Sequence, residues 1–193
     1  MPRKTGVETR TFSQETLRFL AELEANNERP WFQANKHRYE SAVVEPALAF
    51  IGAMAPRLAR ISGHFSAVPK RTGGSLMRIY RDTRFAYNKT PYKTNVGIQF
   101  RHELGRDIHA PGFYVHIEPD GCFLGAGIWR PEPEPLRAIR EKIVAEPDRW
   151  RRTVTDRRFA AAFELTGERL ERPPRGFSAA APDRKSTRLN SSH

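Results

Sequence analysis

Hydrophobic positions recur at helical spacing in the first third of the chain and alternate in the middle third. After Ser13, a good N-cap, Leu17, Phe19, Leu20 and Leu23 form a stripe that predicts a helix ending near Asn26 and Asn27. Pro30 suits the first turn of a second helix, in which Trp31, Asn35, Arg38, Tyr39, Ala42 and Val43 fall near one face. Pro46 restarts or kinks that helix. Residues 47–61 then carry Leu48, Ile51, Met54, Ala55, Leu58 and Ile61 on one stripe, with a bend expected at Pro56. Helices with one apolar face need a partner layer, so these are expected to cover one face of a sheet.

The sheet is read from period-two alternation. Residues 76–84 predict a first strand, with Arg78, Tyr80, Asp82 and Arg84 on one face and Met77, Ile79 and Arg81 on the other. Residues 95–101 place Val96, Ile98 and Phe100 inward, and residues 112–118 do the same with Phe113, Val115 and Ile117. Pro119, Asp120 and Gly121 make a tight turn into a strand at 122–129, whose Cys122, Leu124, Ala126 and Ile128 join the apolar face. Further helices are expected at 135–145, with Leu136, Ile139 and Ile143 as its stripe, from Pro147 with Trp150 and Val154, and around 158–163. The expected class is α+β: an antiparallel sheet of about four or more strands, N-terminal helices packed on one face and C-terminal helices nearby. One domain is expected over 12–177, after a flexible arm at 1–11 and before a disordered tail at 178–193.

Putting the faces in register gathers Arg78, Tyr80, Asp82, Asn95, Gln99, Tyr114 and His116 around Gly97, Gly125 and Gly127. Glycines inside strands mark close approach of a ligand or another backbone. One reading makes this face the floor of a cleft. The other packs the C-terminal helices there, the glycines making room for a ring such as that of Trp150.

The densest chemistry lies at 77–93, where Arg78, Arg81, Arg84, Lys89 and Lys93 share one acid, Asp82. Five cations this close repel one another, and one carboxylate cannot neutralise them. Asp82 is expected to orient Arg78 and Arg84, and Arg81, on the apolar face, to be buried and paired. Planar guanidiniums suit phosphate or carboxylate, and the turn-rich stretch with Asn88, Lys89 and Tyr92 is placed to fold back as a lid. The candidate ligand-binding set is therefore Arg78, Arg81, Asp82, Arg84, Asn88, Lys89, Tyr92 and Lys93, with His116 as a proton shuttle. Two alternatives stand beside a small anionic ligand. The motif is an internal ion-pair network, or, with Tyr80, Phe85, Tyr87 and Tyr92 interleaved, a platform for single-stranded nucleic acid. The loop at 68–75 offers a small backbone nest but lacks the ending of a P-loop.

Composition narrows the classes. At 193 residues the chain is long enough to bury a core, and 38% hydrophobic with 28% charged residues is ordinary for a soluble protein. No uninterrupted apolar run approaches the roughly 20 residues of a membrane span, and no apolar stretch follows the charged N-terminus as in a secretory signal. A single cysteine, Cys122, excludes an internal disulfide framework, so a cytoplasmic location without membrane association is expected. Net charge is +11 and the isoelectric point near 10.4. The final RKSTRLNSSH continues no earlier pattern and resembles adapter read-through. Leaving out Arg184, Lys185 and Arg188 sets 30 cations against 22 acids, still basic. The six histidines show no ligand spacing and one cysteine cannot build a zinc site, so neither metal nor cofactor is expected. No Gly-x-Ser-x-Gly elbow is present, Cys122 on the apolar face would be inert, and the flanking arginines make Asp82 a weak base. Catalytic residues and oligomeric state are not indicated.

The run Arg78-x-x-Arg81-Asp82-x-Arg84-Phe85, followed by Asn88-Lys89-x-x-Tyr92, resembles the signature of a widespread bacterial family known as domain of unknown function 2461. Asn26 to Phe32, Gly125 to Pro131 and the opening helix add to the resemblance, which covers about residues 12–177. It implies an α+β fold and supplies neither an activity nor catalytic residues.

Overall fold

The computed structural model describes residues 12–103, 111–128, 131–162 and 176–177, so the expectations for 1–11, for the tail beyond 177 and for Trp129, His109 and His193 lie outside the described residues. The chain divides into two units, one through Gly127 and one from Ile128.

In the first unit, α1 (Gln14–Ala25) opens on an extended Ser13 whose hydroxyl accepts the Glu15 N–H, while the Thr16 hydroxyl accepts the N–H of Ser13 at 3.2 Å. This is a reciprocal capping arrangement with threonine in the usual place of glutamate. The inner face of α1 buries Thr16, Phe19, Leu20 and Leu23. Next come α2 (Arg29–Ala34), with Pro30 in its first turn, and α3 (Lys36–Tyr39), which leads through a π-helical turn, Glu40–Val44, into α4 (Glu45–Ile61). The chain does not break at Pro46. Proline has no N–H to give the Ala42 carbonyl four residues earlier, and that carbonyl instead accepts the Thr16 hydroxyl at 2.6 Å. The 26 residues from Lys36 to Ile61 are long and apolar enough to cross a membrane, with a mean hydropathy of 1.4 over the best 18. Here they form the core helix, burying Val43, Val44, Ala47, Ile51 and Leu58. Ala55 and Ile61, expected on the same stripe, are exposed on either side of the buried Leu58, so the buried face is narrower than the stripe.

The sheet has four antiparallel strands in sequence order: β1 (Phe65–Ser66), β2 (Val96–His102), β3 (Gly112–Glu118) and β4 (Gly121–Gly127). Val96, Ile98 and Phe100 oppose Ile117, Val115 and Phe113, and these oppose Cys122, Leu124 and Ala126. The alternation expected from sequence fixes this register, because a slip of one residue would turn the apolar set away from the helices. Glu118 pairs with Gly121 across the two-residue turn Pro119–Asp120.

Three expectations are corrected. The first strand is the short β1, missed because two residues carry no period, and residues 76–84 form only isolated bridges, Leu76 to Ile98 and Tyr80 to Tyr92. Cys122 and Leu124 alternate onto the helix-side face, yet both are exposed, Leu124 by 71%, because β4 is the sheet's outer strand. In the loop before Leu76 the groups crowding Gly74 are the carbonyls of Val68 and Lys70, where an anion nest needs N–H groups.

The second unit contains α5 (Pro133–Ala145), α6 (Pro147–Thr155) and α7 (Arg157–Ala162). Ile143 is the buried residue of its stripe. Glu146, at the junction of α5 and α6, pairs with Lys142 and with Arg149. With helices in both units and an antiparallel sheet, the protein is α+β.

Candidate functional site

Residues 75–93 leave the sheet and pair with themselves. The Met77 N–H donates to the Gly97 carbonyl and the Gln99 N–H to the Ser75 carbonyl, which ties the start to β2. The Arg81 N–H then donates to Pro91 and the Lys93 N–H to Ile79, closing an irregular hairpin. Two buried side chains anchor it, Ile79 and Tyr92. The Tyr92 ring stacks on Phe32 at 4.1 Å, and burial raises its phenol above the ordinary range. Asn27 grips the same residue, donating to its carbonyl and accepting its N–H, each at 3.0 Å. Sequence reasoning gave Asn27 no role. The available signal was its place in the Asn-Asn-x-Arg-x-Trp-Phe stretch.

Within the hairpin the charged residues divide. Asp82 takes a two-pronged hydrogen bond from Arg84, from Nε at 2.9 Å and Nη2 at 2.7 Å, and a third from the Arg84 N–H. Those bonds hold the Asp82 carboxyl well below the usual carboxylate range and raise Arg84. Asp82 thus orients Arg84 but makes no hydrogen bond to Arg78, because the chain between Arg78 and Asp82 does not alternate as a strand. Lys89 donates through Nζ to the Thr83 carbonyl at 2.9 Å, and Asn88 accepts the Thr90 N–H. Arg81, expected buried and paired, is half-buried, with the Thr90 hydroxyl as its partner in place of a carboxylate.

Arg78 and Lys93 are different. Among the described residues neither side chain has a hydrogen bond or ion pair. Lys93 is half-buried, and burial, with the nearby Arg78 charge, depresses its ammonium below the ordinary lysine value. The two cations act on each other, and the Asp82 carboxylate, bound to Arg84, reaches Arg78 through its field and not by contact. Phe85 and Tyr87, close by in sequence, are essentially fully exposed, and Arg84 lies over the Phe85 ring.

His116 lies on β3 and touches none of these residues through a hydrogen bond. Its neighbours are Tyr114, Asn95, Glu118 and the ring of Phe123. The gap at Gly97 is filled by the protein itself, since a Cβ there would stand 3.0 Å from Met77 Sδ and 3.1 Å from the Tyr114 hydroxyl. Gly125 sits opposite Tyr114 at ordinary contact distance.

No curated protein and no solved structure matches the chain. A family model does match it, over residues 15–193, that of the conserved hypothetical proteins of domain of unknown function 2461. The match takes in the helical layer, the hairpin and the sheet, and the chain therefore belongs to this family.

Proposed function

We propose that the protein binds a small phosphate- or carboxylate-bearing ligand at Arg78 and Lys93. The observation that carries this reading is that neither cation has a hydrogen bond or ion pair of its own, Asp82 acting on Arg78 only through its field while its oxygens are bound to Arg84, and that the other three cations of the motif are engaged within the hairpin. Holding an ammonium in a partly buried place beside a guanidinium is unfavourable on its own, and an anion between them replaces the repulsion with attraction that offsets the cost of desolvation. Arg84, Asp82, Lys89 and Arg81 then brace the loop that presents the pair, so the internal-network alternative describes part of the motif and ligand binding the rest.

The test is calorimetric titration with inorganic phosphate, pyrophosphate and citrate, alongside Arg78→Gln and Lys93→Met. Each substitution is expected to weaken binding about tenfold or more, the scale of one charge-assisted contact, without lowering the melting temperature of Arg78→Gln. Binding should also fade with rising pH before 10.5, the ordinary lysine value, because the lowered Lys93 loses its proton early. Equal affinity in the parent and both variants overturns the reading. The exposed Phe85 and Tyr87 beside Arg84 support a second reading, single-stranded nucleic acid stacked on those rings. Its mark is oligonucleotide binding that falls steeply with salt and is lost in Tyr87→Ala.

A further inference from the structure

A separate polar cluster lies on the sheet face opposite the one that carries Val96, Ile98 and Phe100. Alternation along β3 puts Tyr114, His116 and Glu118 on that face at two-residue spacing. The Tyr114 hydroxyl is 3.0 Å from His116 Nδ1, and a Glu118 carboxylate oxygen is 3.1 Å from Nε2. That carboxylate is out of line with the ring N–H, so Nε2 is buried without a hydrogen bond although the carboxylate stands within ion-pair distance. The Asn95 amide approaches Nδ1 at 3.4 Å. Phe123 stacks on the imidazole at 4.7 Å and 11°, which fixes the ring's orientation, and leaves 55% of its own surface exposed.

We take the ring tautomer in which Nδ1 accepts. The phenol donates to Nδ1, which puts the ring proton on Nε2, where it faces Glu118. This is the logic of a hydroxyl, a histidine and an orienting carboxylate, with tyrosine as the hydroxyl. Burial raises the phenol above its ordinary range, so no standing tyrosinate is held. The oxygen gains nucleophilicity only as its proton leaves.

We propose that Tyr114 is a reactive phenol deprotonated by His116, with Glu118 as the positioning residue, and that it takes an electrophilic acyl compound resting against Phe123. The phenol oxygen bonds to the acyl carbon, the bond to the leaving group breaks with its electron pair, and the phenolic proton passes to Nδ1 and on to the leaving group. The proposal does not depend on anion binding at Arg78 and Lys93.

The experiment treats the full chain with N-acetylimidazole and with benzenesulfonyl fluoride from pH 6 to 9 and maps modified tyrosines by peptide mass spectrometry, with the fully exposed Tyr87 as internal control. Tyr114 is expected to react about tenfold or more faster than Tyr87, the lower end of general-base assistance. Its rate should rise as the His116 ring loses its proton, followed by NMR of the same sample. His116→Gln should bring Tyr114 to the rate of Tyr87. Glu118→Gln, a near-isosteric change of a side chain 40% exposed at the end of β3, should lower the rate severalfold and displace the pH profile. Failure of both reagents to modify Tyr114 faster than Tyr87 overturns the proposal, since a phenol they do not reach is not a reactive site. So does a rate and pH profile unchanged in Glu118→Gln, even if His116→Gln does not fold.

Discussion

Thr16 has no exposed surface, and its hydroxyl does two things at once, accepting the Ser13 N–H and donating to the Ala42 carbonyl. The second bond satisfies the carbonyl that Pro46 leaves without its helical donor. Thr16→Val keeps the shape and removes both bonds, leaving a buried carbonyl unpaired, which costs about 1–3 kcal/mol. Urea denaturation of the parent and variant checks this, and a loss below about 0.5 kcal/mol would mean the carbonyl finds another donor. At this scale the sequence was legible where a residue's neighbours are local. The Ser13 cap and the Asp82–Arg84 pair both span two or three positions. Asn27 and Tyr92 are 65 positions apart, and no pattern in the chain couples them.

Among the elements, β2 and β3 meet closely at Gly112, which pairs with Arg101. A Cβ at Gly112 would stand 2.8 Å from the Phe100 carbonyl oxygen, a backbone atom that cannot swing aside. Gly112→Ala should therefore destabilise the first unit by about 1–3 kcal/mol, the usual cost of overpacking, measured as a drop in the thermal midpoint. An unchanged midpoint would mean that the strands separate there at no cost. Alternation predicted β2, β3 and β4 and their facing, because inward positions on β2 and β3 are set against the helices, and β4 keeps the same period although its inward Cys122 and Leu124 stay exposed. It failed at 76–84, where Arg78, Tyr80 and Asp82 alternate with apolar residues but the hydrogen bonds go to residues 91–93. Periodicity records which way side chains point along an extended chain. It does not record which chain supplies the hydrogen bonds.

For the molecule as a whole, buried phenols set the alkaline limit of stability. Burial pushes Tyr39 up to about 12 from an ordinary 10.0, and raises Tyr92 and Tyr114 as well. A group whose folded value is raised contributes its full stability below the unfolded value and loses it as pH climbs through the folded one. Stability of the first unit should thus fall between pH 10 and 12. Lys93, with its lowered value, works in the opposite sense and is finished by 10.5, so the fall above that belongs to the tyrosines. Urea midpoints across this range should decline less steeply for Tyr39→Phe, and an equal slope would remove Tyr39 from the account.

The sequence by itself determined the α+β class, the helical stripes, the three long strands with their inward faces, and the concentration of cations at 77–93. Each follows from local periodicity or composition, which survives without knowledge of what packs where. Only the tertiary structure decided which cations are engaged and which are not, and that the outer strand leaves Cys122 and Leu124 exposed. It also decided that on the face alternation had assigned to Asn95, Tyr114 and His116 the phenol and the Glu118 carboxylate come within 3.0 and 3.1 Å of the two ring nitrogens. Those outcomes depend on which distant backbone supplies a hydrogen bond and where a layer of helices ends, and neither has a period along the chain.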